Sequence, residues 1–168
     1  YDLTKDLSFF VRSGLITNNA LSTLQTPKSY VYYGNGDLDG NYYQRRQSNF
    51  QIVTDALLTY KKTFLGDFNS TLSVGASNRY NSNSRLESRT NGLFVPENYS
   101  FANSIGVVTT TNLLAQRKVN SAFGYLDLDY KKMVYLSVTG RNDWTTTLQK
   151  PNNSYFYPSA SLGVIPTS

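Results

Sequence analysis

Strict two-residue alternation constrains this chain more than any other feature. From Val134 to Val164 it reads VYLSVTGRNDWTTTLQKPNNSYFYPSASLGV. On an extended backbone Val134, Leu136 and Val138 fall on one side, and Tyr135, Ser137, Thr139, Arg141 and Asp143 on the other. The pattern breaks at a polar loop, Thr145 to Ser154. It resumes with Phe156, Ala160, Leu162 and Val164 opposite Tyr155, Tyr157, Ser159 and Ser161. A helix needs apolar residues three and four apart, so this stretch predicts two strands joined by a loop.

The same period recurs upstream. A first strand is expected within Tyr1 to Ile16, where Leu7, Phe9 and Val11 alternate with Ser8, Phe10 and Arg12; Phe10 breaks the pattern, and Gly14 marks a bend or bulge. A second runs from Phe50 to Phe64, with Phe50, Ile52, Ala56, Leu58, Tyr60 and Phe64 opposite Gln51, Asp55, Thr59, Lys61 and Thr63. Leu65-Gly66-Asp67 turns it into a third, Phe68 to Tyr80, with Phe68, Leu72, Val74, Ala76 and Tyr80 opposite Asn69, Thr71, Ser73, Ser77 and Arg79. A fourth spans Val119 to Tyr130, with Ala122, Gly124, Leu126, Leu128 and Tyr130 in phase and Phe123, Tyr125, Asp127 and Asp129 opposite. Lys131-Lys132-Met133 leads into the fifth, Val134 to Trp144. The sixth is Tyr155 to Ile165, where Pro166 ends it. Thr17 to Gln47 and Asn81 to Lys118 are read as long connections.

Composition removes several kinds of chemistry. The chain has no histidine and no cysteine. That leaves no disulfide, no usual zinc site and no histidine-dependent catalytic base. Its acidic residues are scattered, a weak basis for a two-carboxylate glycosidase. The net charge is +5, but Lys and Arg are spread along the chain without a nucleic-acid-binding pattern, so no nucleic-acid partner is expected. Asn35-x-Asp37-x-Asp39-Gly40 copies the first half of an EF-hand calcium loop. The twelfth position is Arg46, where that loop needs a glutamate, so a turn is expected and no metal or cofactor. Around it Tyr30, Tyr32, Tyr33, Tyr42 and Tyr43 could stack on a sugar or peptide or pack the loop against itself. No run of about 18 apolar residues is present. Barrel strands cross a membrane without one. The chain opens at Tyr1 without a signal segment, as expected of a fragment or a processed chain.

The links alternate long, short, long, short, intermediate. Outer-membrane barrels have short periplasmic turns and longer extracellular loops. On that pattern Leu65-Gly66-Asp67 and Lys131-Lys132-Met133 face the periplasm. The aromatics form two belts: Tyr60, Phe64, Phe68 and Tyr130 near the short turns, and Tyr80, Trp144 and Phe156 near the long links. The opposite face carries Asp55, Arg79, Asp127, Asp129, Arg141 and Asp143. In a soluble β-sandwich, for example a carbohydrate-binding module using Tyr30 to Tyr43, that face is solvated. In a large barrel it lines the lumen.

Thr-Gly-Arg-Asn-Asp-Trp-Thr-Thr-Thr-Leu (139–148), followed by Asn-Ser-Tyr-Phe-Tyr-Pro-Ser-Ala-Ser-Leu-Gly (153–163), resembles the barrel domain of the SusC/RagA family of TonB-linked outer-membrane transporters. Family members usually carry serines where this chain has Thr145 and Thr146. A second stretch, Gly92-Leu-Phe-Val-Pro96 through Phe101-Ala-Asn-Ser104, resembles a loop of the same family. The resemblance implies an all-β fold: residues 1–168 would be about six antiparallel strands of a transmembrane barrel of about 22, with the plug domain and other strands outside this sequence. It places the polar face toward the lumen. It also implies a cell outer membrane location, TonB-dependent active import of a nutrient (a glycan or oligopeptide), a SusD-like surface lipoprotein and the TonB–ExbB–ExbD complex as partners, and no enzyme activity. It assigns no substrate-binding residue.

Overall fold

The computed structural model describes residues 1–28 and 38–166. The described residues form one six-stranded sheet: β1 (Leu7–Thr26), β2 (Asn41–Phe64), β3 (Phe68–Arg89), β4 (Thr109–Tyr130), β5 (Val134–Thr145) and β6 (Ser154–Val164). Each strand pairs with its sequence neighbours, in the order β1-β2-β3-β4-β5-β6. The expected all-β, antiparallel architecture is therefore found. A two-layer sandwich is not: among the described residues there is one sheet, and nothing packs across its apolar face.

Four strands run further than expected. β2 begins at Asn41 rather than Phe50, β3 continues to Arg89, β4 starts at Thr109, and β1 reaches Thr26. Much of the two stretches read as long connections is thus strand. The added segments, such as Asn-Ser-Asn-Ser-Arg-Leu-Glu-Ser-Arg (81–89), lack an apolar face, so hydropathy shows no period there. Backbone ladder bonds form regardless of which side chains flank them. The remaining links are two short turns and the residues between the other strand ends.

The chain divides into two compact units. The first comprises Tyr1–Leu15, Gln51–Asn81 and Arg117–Ser168. Here the register sets Tyr130 opposite Val134, Leu128 opposite Leu136 and Leu126 opposite Val138. On the other side of β5, Val134 faces Val164, Leu136 faces Leu162 and Val138 faces Ala160. These residues form continuous apolar rows, and the rows are uncovered. Val74, Val138 and Leu162 expose 47%, 40% and 70% of their surface. Both short turns are type I′ hairpins, the form whose twist suits antiparallel strands. Leu65 and Gly66 have φ of 52° and 75°, Lys131 and Lys132 of 51° and 57°, and the Met133 N–H closes the second turn on the Tyr130 carbonyl at 3.0 Å.

The second unit comprises Ile16–Phe50 and Ser82–Gln116. Its centre is Leu93, the fully buried large side chain of the described residues. The Leu93 N–H donates to the Asp39 carbonyl at 2.9 Å, and Leu93 bridges to Ser104. A Cβ on Gly40 would come within 3.1 Å of the Leu93 side chain, and Gly40 has φ of 71°, so glycine is required there twice over. Asn103 knots the same loop. Its Oδ1 accepts the Val95 N–H at 2.9 Å, while its Nδ2 donates to the carbonyls of Val95 and Asn98, both at 2.7 Å. A one-turn 3₁₀ helix, Phe101–Asn103, is capped by the Ser100 hydroxyl, and Phe101 packs on Tyr42 with ring centres 4.9 Å apart. The Val-Pro…Phe-Ala-Asn-Ser stretch is therefore a structural knot, with Asn103 and Ser104 as its fastenings.

Candidate functional site

In the first unit the odd-numbered positions of β2 to β5 share a polar face. Hydrogen bonds lace it from strand to strand. Asp55 accepts from Arg12 Nη2 at 2.7 Å, from Arg12 Nε at 3.2 Å and from the Ser77 hydroxyl at 2.6 Å. Thr59 and Ser73 share a 3.0 Å bond, Asn69 donates to Asp129 at 3.0 Å, and Ser137 donates to Asp127. Each of these aspartates is held as an acceptor by a neighbour.

Arg141 is tied at three points of the face. Its Nε donates to Asp143 at 2.7 Å and its Nη2 to the buried Ser121 hydroxyl at 3.0 Å. Its guanidinium lies 5.9 Å from the centre of the Phe123 ring. The Phe123 ring in turn covers Gly75 on β3. A Cβ at Gly75 would overlap the edge of the ring and lie 2.7 Å from the Ala56 carbonyl oxygen, so only glycine leaves room for it. Gly75→Ala is expected to push the ring off its seat and cost about 1–3 kcal/mol, as overpacking does. A urea-unfolding titration of the full-length protein checks this. An unchanged midpoint would show that the ring is not seated there.

Ser77, Arg79, Asn81, Arg117, Ser121, Arg141 and Asp143 surround a concavity of about 160 Å³ on the same face. Arg79 and Arg117 are exposed there and donate no hydrogen bond to any described residue. The sequence placed Arg79, Arg141 and Asp143 on this face. It missed Arg117, which fell inside a stretch read as a connection. Counting the odd phase of β4 back from Val119 would have found it.

Within the second unit the odd-numbered polar residues are also paired. Arg45 Nε donates to Glu87 at 2.7 Å and to the Tyr43 hydroxyl at 2.9 Å, with Arg85 3.4 Å from Glu87. Two arginines thus flank the one carboxylate of Glu87. Of the calcium-like turn, Asn35 and Asp37 lie outside the described residues, as do Tyr30, Tyr32 and Tyr33. Asp39 and Gly40 are seen, fastening the Leu93 knot. Among the described residues no group of three or more potential metal ligands gathers.

The two aromatic belts lie at opposite ends of the apolar rows. Tyr130 pairs with Val134 beside the short turn, while Trp144 stands between Asn120 and Ser154 at the far end. The hydroxyl of Thr146 accepts the Lys118 N–H at 2.9 Å, a task that either serine or threonine can perform.

No protein-family model matches the sequence, and no curated protein is significantly similar to it. Solved structures are similar in fold. A chain of the RagAB peptide transporter superposes with a TM-score of 0.83 at 14% identity, over 94% of this chain and 18% of that one. The RagAB peptide importer gives TM-scores of 0.82 in both its open-open and closed-closed states, again at 14% identity. This chain spans less than a fifth of the length of the chains it matches. Over nearly its whole length, then, this chain has the fold of a six-stranded segment of the RagAB transporter's barrel.

Proposed function

We propose that this chain is part of the barrel of an outer-membrane, TonB-dependent importer of the SusC/RagA type. One observation carries the reading: a single-layer sheet leaves its apolar rows uncovered between two belts of aromatic residues. Soluble monomers rarely expose contiguous apolar surface on this scale. Lipid covers it at no cost, provided the strands close into a barrel and leave no free edge. From Val134 to Trp144, at ~3.4 Å per residue and a tilt of ~40°, a strand climbs roughly 26 Å. That matches the apolar band of such barrels, about 25 Å tall. The belts then sit at the two interfaces, Trp144 is an anchor in the headgroups, and the polar face lines the lumen.

In this reading the short turns at residues 65–67 and 131–133 face the periplasm, and the links at 27–40, 90–108 and 146–153 face outside. The protein moves a nutrient, a glycan or an oligopeptide, and makes or breaks no bond in it. A SusD-like lipoprotein would cover the outer side, and TonB–ExbB–ExbD would supply the energy.

Cell fractionation of the full-length protein tests the proposal. It is expected to sediment with the outer membrane, to need detergent for extraction, and to migrate faster on gels before boiling than after. Uptake of its cargo is expected to stop when TonB is deleted. Recovery in the soluble fraction without detergent would overturn the reading.

A further inference from the structure

Around the concavity the polar face of the first unit carries more positive charge than it neutralises. Asp55 is engaged by Arg12 and Ser77, and Asp143 by Arg141. Arg79, whose charge also acts on Asp55 and Asp143, and Arg117 stand beside Arg141 around one concavity, three guanidiniums to the one carboxylate of Asp143. Like charges brought together on adjacent strands repel. Such a cluster persists where an anion completes it. A planar guanidinium presents five donors in a fork that fits a carboxylate. Arg141 spends Nε and Nη2 on Asp143 and Ser121, which fixes its plane and leaves Nη1 directed elsewhere. The other two forks are free among the described residues.

Size and place favour a ligand. About 160 Å³ holds a carboxylate and the few carbons that bear it. Arg141 and Asp143 stand close to Thr145, where β5 ends at an intermediate link rather than at a short turn. In the orientation proposed above, that end receives incoming cargo.

We propose that Arg79, Arg117 and Arg141 form a carboxylate cradle that selects acidic cargo. The proposal rests on the import reading and narrows it: one arginine is held rigid by Asp143, Ser121 and Phe123, and two exposed arginines close on the anion. A rigid first contact reduces the ordering cost of binding. The carboxylate can come from an acidic side chain of a peptide or from a uronic acid of a glycan.

The test uses the full-length transporter with its partner lipoprotein, in detergent, and two matched probe pairs. One pair is a hexapeptide amide bearing two aspartates and its asparagine isostere. The other is an oligogalacturonate and its carboxyl-reduced counterpart. The acidic member of one pair is expected to bind at least 10-fold tighter, and which pair does so names the source of the carboxylate. In the double variant R79Q/R117Q that preference is expected to fall by about 10- to 100-fold, the loss of hydrogen bonds to a charged group, while the neutral member binds as before. A second variant, Arg79→Glu, is expected to favour a lysine-bearing peptide instead. If a neutral probe binds and is imported but acidity makes no difference, the cradle is wrong and the import reading survives. If both members weaken together and the variant loses its fast-migrating folded form, the arginines hold an acidic segment of the protein itself, and the proposal is again overturned. If none of the probes is taken up and the protein is soluble, the import reading fails and the cradle with it.

Discussion

Val138→Arg is expected to destabilise the assembled barrel by about 2–4 kcal/mol, the cost of a charged side chain near the middle of a lipid-facing strand. Val138 lies between Leu126 and Ala160 in the apolar rows, and its neighbours along β5 on that face are Leu136 and Gly140. It is 40% exposed with no protein surface over it. In the proposed barrel an arginine there has no water to reach and no carboxylate within its row. Thr139, one residue on, is the control. It stands between Tyr125 and Ser159 on the polar face, and Thr139→Arg is expected to change stability by less than about 0.5 kcal/mol, as for surface positions. Urea titrations of the full-length protein folded into bilayers measure both. Equal effects at 138 and 139, or a larger effect at 139, would invert the assignment of faces.

Leu93→Ala is expected to cost about 2–5 kcal/mol, the range for emptying a fully buried leucine site. The loss falls on the second unit, because Leu93 closes the loop over Gly40 and Asp39. Asn103 and the 3₁₀ turn cannot compensate, since their hydrogen bonds depend on the loop backbone that Leu93 anchors. Hydrogen exchange over residues 90–107, together with limited proteolysis, reads this opening. Faster exchange is expected there, while the amides of β5 and β6 keep their protection. Unchanged exchange would mean that the asparagine knot holds the loop without a hydrophobic centre.

The two outcomes mark the boundary of what can be read from residues alone. β5 and β6 were legible almost to the residue because Val134–Val138 and Ala160–Val164 alternate apolar and polar residues in one phase. Both short turns were legible for the same reason: alternation stops and restarts across a few residues. The loop-side portions of β2, β3 and β4 were not, because their two faces are both polar and leave no hydropathy period. The loop around Leu93 was legible only as a resemblance. Its physics is a set of contacts between residues about fifty apart, such as Asp39 with Leu93, that no local pattern records. The arginine cluster was half visible. Phase alone put Arg79 and Arg141 on one face. Their gathering with Arg117 depends on how far β4 extends, and Gly75 gave no sign that it is the seat of Phe123.

That seat has a geometric consequence. Alternation tells a strand which side faces out, but sliding β4 along β3 by two residues keeps every side chain on its own face and every apolar row intact. Hydrophobicity is therefore blind to such a slide. A ring lodged in a hollow left by a missing Cβ is not: Phe123 meets that hollow in one alignment and a side chain in the next. In a closed barrel the accumulated stagger between strands fixes the tilt, and with strand number the diameter of the bore. A single glycine and a single phenylalanine thus act as an index mark between two strands and, in the barrel proposed for this chain, help to set how wide a passage it encloses.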